Sequence, residues 1–226
     1  MPSPRGVKTP GYLLRFARYT PKSTQLSSKL PAGELIDILD IVFTRFDTIC
    51  KKHGLEKIKT IGDAYMAVCG APVAVENHAE RAALAALEML EDFSMEQRFS
   101  ARIDLGFRIG LHSGSVVAGI IGENKYSYDL WGDAVNTASR MESHGEEDKI
   151  HVSEEFLKKL LMVNGEWLMD EADDLSSLPT NHLPLPTNHS SLIINNSPFT
   201  IIPRGEMDIK GKGKMRTYYL ENGSNS

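Results

Sequence analysis

Between residues 34 and 52, Leu35, Ile38, Leu39, Val42, Phe43, Phe46, Ile49 and Cys50 recur at intervals of three and four. That spacing gathers them into one wide stripe, so an amphipathic helix is expected there, with Gly54 to stop it. The period then shortens. Residues 57–61 and 64–68 predict two strands joined at Gly62-Asp63, a pair suited to a tight hairpin turn. Asn77-His78-Ala79-Glu80 has the form of a capping box ahead of an alanine-rich helix running to about Asp92, with Leu84, Leu87 and Leu90 as its buried stripe. Residues 107–111 and 115–121, separated by His112-Ser113-Gly114, predict a second hairpin. Then Tyr128-Asp129-Leu130-Trp131 breaks at Gly132, and Asp133 stands where a helix N-cap is wanted. On that helix Ala134, Ala138 and Met141 fall on one face, while Asn136 and Arg140, four apart, share another. A strand over 149–152, a helix over 154–161 capped by Ser153, and a last strand over 215–220 complete the pattern. Such alternation implies helices packed on a mostly antiparallel sheet.

Composition narrows the choice. A chain of 226 residues, 41% hydrophobic, builds one domain with a real core, whereas two would be cramped. A net charge of −5 gives no basic footprint, which argues against a nucleic-acid partner. Cys50 and Cys69 lie in apolar segments without metal-ligand spacing and read as buried thiols of a reducing compartment. With no apolar run of membrane-spanning length and no signal-peptide pattern, the expected location is cytoplasmic, any membrane tether lying outside this chain. Residues 170–200 depart from the pattern: Leu-Pro-Thr-Asn-His occurs at 178–182 and again at 185–189, amid Pro, Asn, Ser and Thr. This reads as a flexible surface insertion whose His182 and His189 are solvated, with the fold resuming near Arg204. Gly110, Gly114, Gly119 and Gly122 have no phosphate-loop spacing and suit turns and tight packing, and His112 reads as a turn or interface histidine.

Three segments, Tyr128–Ser143 (YDLWGDAVNTASRMES), residues 56–67 (EKIKTIGDAYMA) and Lys210-Gly211-Lys212-Gly213, stand in the order and register of the class III nucleotidyl cyclases, which the chain resembles over roughly 26–164 and 204–221. The resemblance implies an α+β fold, a ferredoxin-like α/β sandwich, with 1–25 as an atypical N-terminal segment, 26–222 as the catalytic domain carrying the insertion at about 170–200, and 223–226 as a tail. It also implies conversion of ATP to 3′,5′-cyclic AMP and pyrophosphate. In that family two Mg²⁺ or Mn²⁺ ions held by two aspartates serve the reaction. Asp63 matches the second aspartate, Asn136 and Arg140 the catalytic pair that orients ribose and neutralises phosphoryl charge, and Lys210 the triphosphate-binding lysine. Ile61 and Gly62, just before Asp63, match further nucleotide-binding positions. Lys59 and Asp129 match the base-reading pair and favour ATP, because guanylyl members usually carry Glu and Cys there.

One departure is large. Where the family reads Phe-Ala-Asp-Ile followed by a Gly-Phe-Thr turn, this chain reads Phe16-Ala17-Arg18-Tyr19 and then Thr20-Pro21-Lys22-Ser23-Thr24. The first metal aspartate is missing, and residues 1–30 contain no Asp or Glu at all. A single inserted adenine turns GAT-AT into AGA-TAT, so a frameshifted ancestral strand is one expectation, and a fragment of a larger signalling protein is another. The resemblance further implies sites shared across a two-fold dimer, homodimer or heterodimer, with residues 123–128 near the interface. Three function classes stand: an adenylate cyclase impaired by the missing aspartate, a catalytically inactive nucleotide-binding or dimerisation module, and a guanylate cyclase. A diguanylate-cyclase relative is disfavoured, since no Gly-Gly-acidic-acidic-Phe hairpin occurs.

Overall fold

The computed structural model describes residues 7–9, 12–21, 31–97, 105–121, 126–163, 166–167, 192–193 and 199–223. Along them run β1 (Val7–Thr9), β2 (Tyr12–Pro21), α1 (Ala32–His53), β3 (Glu56–Ile61), β4 (Ala64–Cys69), α2 (His78–Gln97), β5 (Leu105–Leu111), β6 (Val116–Ile121), β7 (Ser127–Trp131), α3 (Asp133–Ser143), β8 (Lys149–Ser153), α4 (Glu154–Leu161), β9 (Met162–Val163), β10 (Glu166–Trp167), β11 (Leu192–Ile193), β12 (Phe199–Ile209) and β13 (Gly213–Asn222). Eight of the described strands form one sheet in the order β11-β12-β13-β8-β5-β2-β4-β3. Its neighbours pair antiparallel except β5 and β8, which run parallel. The expected α+β sandwich is present. Among the described residues no helix is long and apolar enough to cross a membrane.

Strand β4 shows how the layers arise. All six of its residues are buried, because its side chains alternate between two apolar clusters. Tyr65, Ala67 and Cys69 face a cluster with Phe46 and Ile49 of α1, Ala83 and Ala86 of α2, and Phe156 and Leu160 of α4. Met66 and Val68 face the other side, with Ala134 and Ala138 of α3, Val116 and Ala118 of β6, and Leu130 of β7. The first cluster is built around aromatic edges: Phe46 meets Tyr65 at 5.4 Å and Phe107 at 5.8 Å between ring centroids. The second meets α3 through the small side chains of Ala134 and Ala138, which seat the helix close against the sheet.

Local signals hold where they depend on local chemistry. Gly54 ends α1 in the left-handed conformation (φ 73°), its N–H reaching the Lys51 carbonyl. Gly62 turns the β3–β4 hairpin at φ 60°. Ser153 caps α4, its Oγ accepting from the Phe156 N–H. Cys50 and Cys69 are free, buried thiols, and burial pushes Cys50 up to about 11.

Three expectations are corrected. Strands β5 and β6 do not form a hairpin: both edges of β5 are taken by β2 and β8, so β6 leaves the sheet and pairs with β1 and β7. Asp133 is not the N-cap of α3. Gly132 holds that position at φ 142°, where a Cβ would be strained and would approach the Ser115 carbonyl to 3.1 Å. The fold resumes before Arg204, with Leu192–Ile193 paired to β12 and Phe199 and Ile201 buried. The remaining expectations for 170–191 and 194–198, for 22–24 and for the interface residues 123–125 lie outside the described residues.

Candidate active site

The β3–β4 hairpin carries Lys59, Ile61, Gly62 and Asp63 on one rigid support. Strand β7 carries Asp129, and these two supports meet: the Lys59 ammonium pairs with Asp129 Oδ2. The other oxygen, Oδ1, accepts the Leu130 N–H at 2.8 Å, which fixes the carboxylate. Both side chains keep a partly open surface, so the pair is presented rather than sealed. Helix α3 begins two residues after β7, placing Asn136 and Arg140 on the strand–helix unit that carries Asp129. Asn136 is exposed and Arg140 half-buried, whereas Ala134, Ala138 and Met141 are buried, as an inward apolar face requires.

The seat of α3 is unusually close. A Cβ built on Gly110 of β5 would lie 2.1 Å from the Glu142 amide nitrogen, so only glycine lets the helix backbone rest there. Beside it the buried Glu142 carboxylate accepts from Arg108 Nη2 at 3.1 Å and Nε at 3.3 Å. His112 lies beneath the start of α3, with Nδ1 2.8 Å from Ser153 Oγ. Its burial, and then the charge of Lys212, lower it to about 4. It lies in the connection between β5 and β6 and is buried within this chain.

Lys210 is exposed in the turn between β12 and β13, where Gly211 (φ 82°) and Gly213 (φ 73°) make the reversal. The neighbouring Lys212, which the sequence did not single out, pairs with Asp133 at the start of α3. An acidic residue on the first turn of α3 attracts a cation, but nothing local in the sequence marks Lys212, 79 residues away, as the one that reaches it. Arg204 and His151, which hold the other end of α3, had no sequence signal at all.

Strand β2 lies inside the large sheet, between β5 and β4. Arg18 sits opposite Ala64, the residue after Asp63, on one side and opposite Arg108 on the other. The residue in the place of the missing aspartate is therefore in register beside the Asp63 turn. These residues do not fit a two-cation site on one chain: Asp63 is one carboxylate, and among the described residues no three His, Cys, Asp or Glu side chains converge to hold a metal.

This fold is shared with solved nucleotidyl cyclase catalytic domains. The chain belongs to the adenylate and guanylate cyclase catalytic domain family, whose model matches residues 16–176. It is 37% identical over 195 residues to guanylate cyclase soluble subunit beta-2 of Rattus norvegicus, an alignment covering 83% of this chain and 22% of that protein. It is 35% identical over 197 residues to an adenylate cyclase of Mycobacterium tuberculosis, covering 87% of this chain and 36% of that one. Among solved structures, the guanylate cyclase domain of RhGC from Catenaria anguillulae, in complex with GTP, superposes with a TM-score of 0.73 at 31% identity, covering 96% of this chain and 98% of that one. The chain thus spans about a fifth to a third of the length of these two relatives, and they include both base specificities.

Proposed function

We propose that this chain is an adenylate cyclase domain that contributes the base-reading and phosphoryl-stabilising half of a site shared across a two-fold dimer. The observation that carries the reading is the Lys59–Asp129 ion pair. It sets one donor ammonium and one acceptor carboxylate side by side, matching the ring acceptor N1 and the donor amine N6 of adenine. Guanine presents the reverse pattern on that edge. Because the two residues satisfy each other within the chain, the pair is held ready before nucleotide arrives, and a wrong base leaves both charges mispaired.

Cyclisation is attack of the ribose 3′-oxygen on the α-phosphorus with departure of pyrophosphate. In this reading Asn136 orients the ribose, Arg140 offsets the charge that builds on the transferring phosphoryl oxygens, and Lys210 binds the triphosphate, with Ile61 and Gly62 against the nucleotide. The cation-binding residues come from the other chain, so a single copy completes no site.

A second reading, a nucleotide-binding and dimerising module with no turnover of its own, is favoured by Arg18 standing in register beside the Asp63 turn. The two readings meet in one expectation: as a homodimer the chain has little or no activity. Turnover of ATP and GTP in Mg²⁺ and in Mn²⁺ by variants with the metal strand restored separates them. Arg18→Asp should rescue cyclic AMP formation only partly, and rebuilding the Asp-Ile-x-Gly-Phe-Thr segment across 18–24 should rescue more, since that turn also presents backbone N–H groups to phosphate. No product from the rebuilt chain favours the module reading, and cyclic GMP as the main product contradicts the assignment to ATP.

A further inference from the structure

The C-terminal turn of α3 is held from outside the helix by a series of hydrogen bonds. The Met141 carbonyl accepts from His151 Nδ1–H of β8 at 2.7 Å. His151 Nε2, on the other side of the ring, takes an N–H from Arg204 Nη1 at 3.2 Å. The same guanidinium nitrogen donates its second hydrogen to the His144 carbonyl, just past the helix end. Both N–H bonds of Nη1 and both nitrogens of a neutral imidazole are thereby used. Burial above all, and to a lesser degree the Arg204 charge, hold His151 near 4, so it stays in the neutral form this series requires. The guanidinium also lies over the Tyr219 ring, with Cζ 5.1 Å from its centroid.

The strand is altered to deliver this side chain. In the β12–β13 ladder Pro203 pairs with Tyr218 and Gly205 with Thr217, so Arg204 is the extra residue of a β-bulge. Gly205, at φ 98°, provides the backbone conformation that the bulge needs. The same hairpin reaches the other end of α3 through Lys212 and Asp133. The two ends differ in strength. Asp133 is largely exposed, so its pair is weak and screened by salt, whereas Arg204 is mostly buried with fixed acceptors.

We propose that Arg204 is a positioning residue for the reaction: through the bulge and through His151 it fixes the C-terminal turn of α3, and with it the Arg140 side chain. The proposal rests on the reading of Arg140 given above. It concerns placement in the transition state, so its loss should appear in kcat rather than in KM.

The test compares wild type, Arg204→Ala and Arg204→Lys by two measurements. The first is native-state hydrogen exchange of each purified chain. Arg204→Ala should exchange at least ~10-fold faster over 140–145 while the α1 segment, 32–53, stays within about twofold of wild type. Arg204→Lys, which keeps one charged nitrogen able to serve both acceptors, should recover most of the protection. The second is turnover in mixed dimers with a cyclase chain that has both metal aspartates but lacks its own phosphoryl arginine. There Arg204→Ala should lower kcat about 10-fold with KM changed less than about twofold, and Arg204→Lys should lie between. Exchange that is unchanged, or that rises equally in α1 and α3, overturns the proposal, as does a loss confined to KM. If the wild-type mixed dimer makes no cyclic nucleotide, the functional reading fails, and the exchange comparison alone decides the role of Arg204.

Discussion

Asn136 and Arg140 lie four residues apart on α3, one exposed and one half-buried, and in the proposed function both act on charge and geometry that exist only in the transition state. Asn136→Ala and Arg140→Ala should therefore lower kcat far more than nucleotide affinity, by roughly 100-fold for Arg140, as for loss of one oxyanion donor. Steady-state kinetics in mixed dimers, beside equilibrium binding of a fluorescent ATP analogue, measure this; equal losses in rate and binding would assign both residues to the ground state. Lys59→Glu with Asp129→Cys should move preference from ATP towards GTP, and an unchanged product ratio would place base recognition elsewhere. The placement of Lys59 beside Asp129, and of Asn136 and Arg140 on the following helix, was legible in the sequence because each sits in a long matched segment. Within Lys210-Gly211-Lys212-Gly213 the two lysines look alike, and only the fold shows that Lys212 turns to Asp133, 79 residues away in sequence. Arg204 and His151 were not legible, because a capped helix end is made by distant strands.

At the scale of elements, the helices and the β3–β4 hairpin could be read from the chain because their determinants are neighbours: an apolar stripe, a stop glycine, a turn pair. Strand partners are not local. The apparent hairpin over 107–121 fails because the edges of β5 are already filled from β2 and β8, which no spacing in that stretch announces. The seat of α3 supplies a prediction at this scale. Gly110→Ala would set a methyl group 2.1 Å from the Glu142 nitrogen, a backbone atom that cannot rotate aside. The helix must shift, at a cost of about 3 kcal/mol by comparison with overpacked cores. Chemical denaturation should show that loss, and turnover in mixed dimers should fall with it. Wild-type stability in Gly110→Ala would mean that α3 does not rest on β5 as described.

Among the described residues, three buried histidines make the whole molecule's stability respond to pH. His78, His112 and His151 each have a pKa lowered from 6.5 to about 4, with burial the largest cause. The folded state thus binds fewer protons than the unfolded chain, and their contribution is complete above pH 6.5 and lost as pH falls towards 4. Thermal unfolding should show a plateau above about pH 7 and a Tm that declines through that window; a flat profile there would contradict neutral burial of the three rings. Assembly is the larger question, because the nucleotide site as read here needs two chains: this one brings Lys59, Asp129, Asn136 and Arg140, and Arg18 stands in register beside its own cation turn. The most direct measurement is cyclic AMP formation by this chain mixed with a cyclase chain that keeps both metal aspartates but has lost its own catalytic asparagine and arginine. Each alone should be inactive, and the mixture should form cyclic AMP with a rate that follows the mixed dimer and disappears with Arg140→Ala. A mixture as inactive as its components, or activity that survives Arg140→Ala, would contradict the shared site.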